Sequence, residues 1–286
     1  MPDGVRLGMN FLSVPREKPE QPGTDNGAPS FRPIRNPLLR CWRNTMLAAY
    51  ESPQTVLLSS VWYPFLSLMI GSMLEHLLQH NLGALRASIT GAIVGLMFAP
   101  PGMLFSATAV YRALHPGKFR DAETAGLLRR PTAVKASFLI LLPSLLAACF
   151  AVAGLFVYSR LPVPFGPILT VITAYAAATW YAFAFLHPAV LITVLLGEQR
   201  EQGVGGVVRT VFSTSWQLLV TAPTFHFCNL FAAGLVAALC ARTVFLVPIA
   251  LGGVVMLLSA VSVDQRLAEL KSTKAGTEHP EGDLSL

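Results

Sequence analysis

Six times along this sequence a stretch of at least 21 residues passes without one Asp, Glu, Lys or Arg: 52–74, 87–111, 136–159, 161–197, 210–241 and 243–263. A helix needs roughly 20 apolar residues to cross the hydrocarbon core of a bilayer. Soluble domains carry about 25% charged residues and do not produce such runs, whereas this chain has 13% charged and 53% hydrophobic residues. The expected fold is an all-α polytopic membrane protein with six transmembrane helices. The 286 residues leave no room for a second globular domain.

Basic residues set the orientation. Lys and Arg number seven before the first run, then one, six, one, two, one and three in the successive connections and the C-terminal segment. Eighteen of the 21 therefore fall on one side. Basic residues resist translocation, so that side is cytoplasmic and both termini are inside. The longest run, 161–197, is shorter than the 40 or so residues that two spans and a turn require. It reads as one span with an interfacial extension. The net charge of +6 is assigned to cytoplasmic loops and anionic headgroups, and no nucleic-acid partner is expected, because no RNA- or DNA-binding pattern accompanies it.

Four segments follow. Residues 1–36, with Pro15, Pro19, Pro22, Gly23, Gly27 and Pro29, bury too little apolar surface to order themselves and read as a disordered cytoplasmic tail. No signal peptide is expected, so the first span serves as an uncleaved insertion signal. Residues 37–51 read as an amphipathic helix lying in the membrane interface. Asn36 is placed to cap it, Pro37 to begin it, and Leu38, Leu39, Trp42, Met46 and Tyr50 recur at helical spacing. The six-helix membrane domain occupies 52–270, and 271–286 reads as a second disordered tail.

Proline interrupts the runs at Pro64, Pro100, Pro101, Pro143, Pro188, Pro223 and Pro248. The sharpest case, Ala99-Pro100-Pro101-Gly102, is expected to kink the second span and start a short interfacial helix over Met103–Ala113. A discontinuous helix of the transporter type is the alternative there. Gly91 and Gly95 form a G-x-x-x-G that permits close helix contact. The cysteines, Cys41, Cys149, Cys228 and Cys240, form no C-x-x-C pair, and two lie deep within apolar runs, so neither a disulfide framework nor a zinc site is expected. Glu75, His76, Gln79 and His80 gather polar groups at helical spacing, but the third ligand and the H-E-x-x-H pattern of a zinc site are missing. No metal or cofactor is expected, and no catalytic residue.

No Asp, Glu, Lys or Arg lies inside a run, which argues against a proton-driven pump. Histidine and amide remain. Thr224, His226 and Asn229 follow Pro223, with His226 and Asn229 on one helix face, and His187 precedes Pro188 near the cytoplasmic end of the fourth span. These four residues are the candidate ligand or packing site, at mid-depth. Packing across helices is the reading adopted.

The stretch Pro100-Pro101-Gly102-Met103-Leu104-Phe105-Ser106-Ala107-Thr108-Ala109-Val110-Tyr111-Arg112 and the segment from Gly205 through Arg209 to Trp216, taken with the helix before the first span, resemble the YesL-like family of bacterial integral membrane proteins. The likeness runs from about Asn36 to Leu270. This chain departs in its longer tail and in Pro-Pro-Gly where Gly-Pro-Ala is expected. The resemblance implies a multi-pass protein of the bacterial cytoplasmic membrane, accessory to carbohydrate uptake, and carries over no catalytic residue. The expected function is thus a non-enzymatic accessory or assembly subunit, whose partners are the lipid bilayer and other membrane subunits. The alternative is a small-solute transporter or channel using the polar site near His226 and a broken second span.

The basic-residue count gives a direct test of topology. With the native cysteines replaced, Gln79→Cys is expected to react with an impermeant maleimide in intact cells, and Ser272→Cys only after permeabilisation. Outside labelling at position 272, or protection at 79, overturns the orientation or the count.

Overall fold

The computed structural model describes residues 36–60, 75, 82–115, 126–158, 160–197, 203–241 and 247–277. Helix accounts for nearly all of them, and no strand occurs among the described residues. Among the described residues, three helices are long and apolar enough to cross a membrane: Ile89–Leu114, Pro131–Tyr158 and Phe165–Leu196. A fourth is added if a bent pair counts as one span. The tail 1–35, most of the first run, and the pair His76 and His80 lie outside the described residues.

The first helix, α1 (Pro37–Glu51), begins where the sequence places it. Asn36 Oδ1 accepts from the Leu38 N–H at 2.9 Å, and Pro37 occupies the first position, where its missing donor costs least. Cys41 and Thr45 are buried, whereas Leu39, Met46, Leu47 and Tyr50 are exposed. At Ser52 the chain turns, and Pro53 opens α2 (Pro53–Ser59).

The second run forms α3 (Leu82–Leu114), which continues through Pro100 and Pro101 as a single helix. Two donors are lost there, but the turns on either side hold the helix. Met103, Leu104, Ser106, Ala107 and Val110 are buried in the core. The helix is unbroken at Ala99-Pro100-Pro101-Gly102, so the discontinuous-helix alternative is not found there, and Met103–Ala113 belongs to α3 rather than forming a short helix of its own.

Next come α4 (Pro131–Tyr158), α5 (Phe165–Ala184) and α6 (His187–Leu196). α4 has a mean hydropathy of 2.5 over its most apolar window, yet only 25% of that window is buried. Phe150, Val157, Phe165, Val171 and Ile172 stand exposed on α4 and α5. Helices apolar on all sides and still uncovered are built for lipid rather than water. α5 and α6 together make one candidate span of 32 residues, about 48 Å at 1.5 Å per residue. That exceeds the roughly 30 Å core, in keeping with one span and an extension.

The discontinuity lies elsewhere. α7 (Val204–Thr221) and α8 (Pro223–Ala241) meet at 102° across Ala222. The last helix, α9 (Val247–Thr277), continues beyond the expected boundary at 270, so that 271–277 are helical rather than tail. Its polar end is held by side chains one turn apart: Arg266 pairs with Glu269, and Gln265 donates to Glu269 at 3.2 Å. α9 packs against α1, α2, α3, α6 and α8 and is the hub of the bundle.

Its contact with α2 is the tightest. The Gly253 N–H donates to Ser60 Oγ at 2.8 Å, and a Cβ at Gly253 would overlap the Val56 carbonyl. Two backbones approach this closely only where a side chain is absent. Gly253→Ala is expected to cost about 1–3 kcal/mol through overpacking. Gly234→Ala, with nothing within 4 Å of the added methyl, is expected to be neutral. Thermal midpoints in detergent check both.

Candidate functional site

The candidate residues separate into two buried settings. His226 and Asn229, one turn apart on α8, are both fully buried. Their partners come from α1 and α9. Trp42 Nε1 donates to Asn229 Oδ1 at 2.9 Å, and Asn229 Nδ2 lies 3.4 Å from Ser262 Oγ and 3.9 Å from Cys41 Sγ. Ser262 Oγ is in turn 3.4 Å from His226 Nδ1. One carboxamide therefore joins three helices. Burial pushes the Cys41 thiol up to about 11, so the sulfur meets the amide as a neutral thiol.

A serine hydroxyl has one proton and two lone pairs, so beside Asn229 it either donates to His226 Nδ1 or accepts from it, according to the imidazole tautomer. The His226 Nε2 is buried without a hydrogen-bond partner among the described residues. The 3.4 Å contacts are long for hydrogen bonds, so the 2.9 Å indole–amide bond is the firm link.

The cluster lies beside the polar stretch of α9. Ser262 is one turn from Arg266, whose guanidinium lies 4.3 Å over the Phe225 ring. Gln265 Nε2 donates to the Pro37 carbonyl at 3.2 Å, and His115 Nε2 is 3.2 Å from Asp264. α9 is thereby tied to α1, α3 and α8 within about two turns. Thr224 faces outward, exposed, and takes no part in the chain.

His187 is elsewhere, at the first turn of α6. Its ring meets Phe183 at 4.5 Å and Phe212 at 4.8 Å, both edge-on, and Trp180 and Trp216 pack on Phe183 in the same way. The structure thus unites His226 with Asn229 and leaves His187 and Thr224 apart from them.

Sequence reading assigned Trp42 to an apolar stripe and did not name Ser262. A signal for the first was present: an indole N–H on a helix beside lipid needs an acceptor, and Asn229 is the sole Asn in the fifth run. Ser262 carried no comparable mark. No protein-family model, curated protein or solved structure matches the chain. Among the described residues, no group of three or more His, Cys, Asp or Glu is placed to hold a metal ion.

This geometry gives His226 and Asn229 partners on other helices, and the coupling can be measured. His226→Ala is expected to lower stability by about 0.6–2 kcal/mol, with most of it recovered in His226→Asn. In a double-mutant cycle, Trp42→Phe and Asn229→Leu should couple by about 0.6–1.7 kcal/mol. Additive losses in detergent unfolding would show that the indole–amide bond contributes nothing.

Proposed function

We propose that this chain is a multi-pass protein of the bacterial cytoplasmic membrane, with six spans and both termini cytoplasmic, acting as a non-enzymatic accessory or assembly subunit. One observation carries the reading: the Asn229 carboxamide at the α1–α8–α9 junction is engaged in joining helices. Asn229 turns its carbonyl to Trp42 and its amide to Ser262 and Cys41, leaving the carboxamide no spare group for a solute. α1, anchored this way, carries Leu39, Met46 and Tyr50 outward, the last 86% exposed. Such a face suits the headgroup layer, with the basic residues Arg40 and Arg43 beside it. Partners are then other membrane subunits, those of a carbohydrate-uptake system if the YesL-like resemblance holds.

A second reading, a small-solute transporter or channel, is favoured by one feature. The 102° bend between α7 and α8 interrupts an uncharged run, as discontinuous helices do in transporters, and His226 lies in the turn that follows it.

Two measurements separate the readings. Tagged protein extracted in mild detergent is expected to bring down a stoichiometric membrane partner, and the purified protein alone in vesicles is expected to give no solute flux. Flux without a partner reverses the order. For α1, Leu39→Ser, Met46→Ser and Leu47→Ser together should detach it from lipid while the spans still insert. Spin labels along 38–50 should report depth with a helical period in the unmodified helix, and a flat, water-exposed profile removes the interfacial helix.

A further inference from the structure

A cavity of about 210 Å³ lies among α3, α4, α5, α6, α8 and α9, and shares no residue with the His226 chain. Its walls come from the middles of the spans. Met103 is near the centre of Ile89–Leu114, Ser144 of Pro131–Tyr158, and Tyr181 of Phe165–Leu196. The cavity is therefore at hydrocarbon depth. Tyr181 and Ala184 on α5, Leu230 on α8 and Val255 on α9 are only partly buried. The mouth accordingly faces these helices, and an occupant enters from the bilayer.

The lining selects by chemistry. No Asp, Glu, Lys or Arg contributes to it, so a charged ligand would meet no counter-charge at a depth where it needs one. Met103, Met256 and Phe185 supply adaptable apolar wall, and thioethers pack well on ring edges. An apolar cavity of about 150 Å³ stays dry and takes up benzene, so this one accommodates a substituted ring. Against this apolar background stand the hydroxyls of Ser144 and Tyr181 and the imidazole of His187, the most deeply buried of the three. His187 is 2% exposed and lines the cavity; its Nε2 has no hydrogen-bond partner among the described residues and no open surface in this rotamer, so an occupant reaches it when the ring turns. Phe183 and Phe212 pack against its ring edge-on. The Ser259 hydroxyl, by contrast, is already engaged with the Phe185 carbonyl.

We propose that this cavity binds an uncharged ring dissolved in the bilayer and bearing oxygen, of the quinone or phenol class, with His187 as its hydrogen-bonding partner. Neutral imidazole carries one donor and one acceptor nitrogen, so it serves a quinone carbonyl or a phenol hydroxyl. A plain alkyl chain fills the space but leaves the imidazole unpaired. The accessory reading is not required, since the cavity uses neither α1 nor His226.

The test uses the full chain in nanodiscs with three probes: tetramethylbenzoquinone, tetramethylhydroquinone, and tetramethylbenzene as the hydrocarbon without oxygen. Binding is read from the ligand dependence of the thermal midpoint. Saturable stabilisation is expected with the quinone or the hydroquinone, at an apparent Kd at least tenfold below that of the hydrocarbon; which of the two binds more tightly tells whether His187 donates or accepts. His187→Phe should bring all three within twofold. Ala148→Leu, which adds bulk to the α4 wall of the cavity, should remove binding of all three. Absence of saturable binding by both oxygenated probes, equal affinity for the hydrocarbon, or unchanged binding in Ala148→Leu would overturn the proposal. Should His187→Phe fail to fold, the hydrocarbon comparison and Ala148→Leu, which keep His187 in place, decide the matter.

Discussion

For helices whose surroundings are as apolar as their own side chains, burial does little to choose which faces meet. Close backbone approach and interhelical hydrogen bonds make that choice. α9 shows how far a single helix takes this. Along its length it uses one polar group after another, each on a different neighbour. The Gly253 N–H goes to Ser60 at the end of α2, the Ser259 hydroxyl goes to the Phe185 carbonyl before α6, and Ser262 Oγ accepts from Asn229 on α8. Asp264 then reaches His115 beyond α3, and Gln265 reaches the Pro37 carbonyl that opens α1. Removing any one loosens one neighbour and leaves the others held, so the hub distributes its polar contacts rather than concentrating them.

The breaks in the chain follow a common rule. Ser52 and Ala222 both precede a proline and take nearly the same backbone conformation, φ −133° and ψ 63° for the first and φ −148° and ψ 61° for the second. Each still donates its N–H back to a carbonyl of the finished helix, Ala48 and Leu218 respectively. Proline disfavours the helical region for the residue before it and is well placed at the first position of a new helix. The same pressure acts on Ala99 before Pro100, yet α3 stays helical there. What differs is the packing downstream. In α3, Met103 and Leu104 are buried in the core with the helix unbroken. In α8, Phe225, His226 and Asn229 are the buried residues next to the break, and turning there brings Asn229 to Trp42 and Ser262.

This contrast marks what could be read from the sequence. The uncharged runs announced the apolar helices, and Asn36-Pro37 announced the start of α1 to the residue, because a cap and a first-turn proline are local devices. Whether a proline breaks a helix is not local. Pro100-Pro101 looked like the stronger interruption and is not one, while Pro223 turns the chain through 102°. The adjacency of His226 and Asn229 followed from spacing on one face, but their partners lie on α1 and α9, at separations of 187 and 33 residues from Asn229. No periodicity reports a contact at that range. The helix also runs past 270, to Thr277, through a stretch whose composition alone resembles a tail.

The two buried histidines show why residue type alone does not assign a role inside a membrane domain. Both are almost wholly buried, and both keep an Nε2 that no described residue satisfies. His226 is bound into a chain of hydrogen bonds and lines no part of the cavity, so its value lies in the helices it joins. His187 is gripped by aromatic edges and lines the cavity, so an apolar residue of similar size would pack there as well or better. An unpaired nitrogen that packing does not need is a standing cost. For His226 the cost is offset within the fold, through Nδ1. For His187 no such return is visible in the protein itself, and an occupant of the cavity is what would supply it.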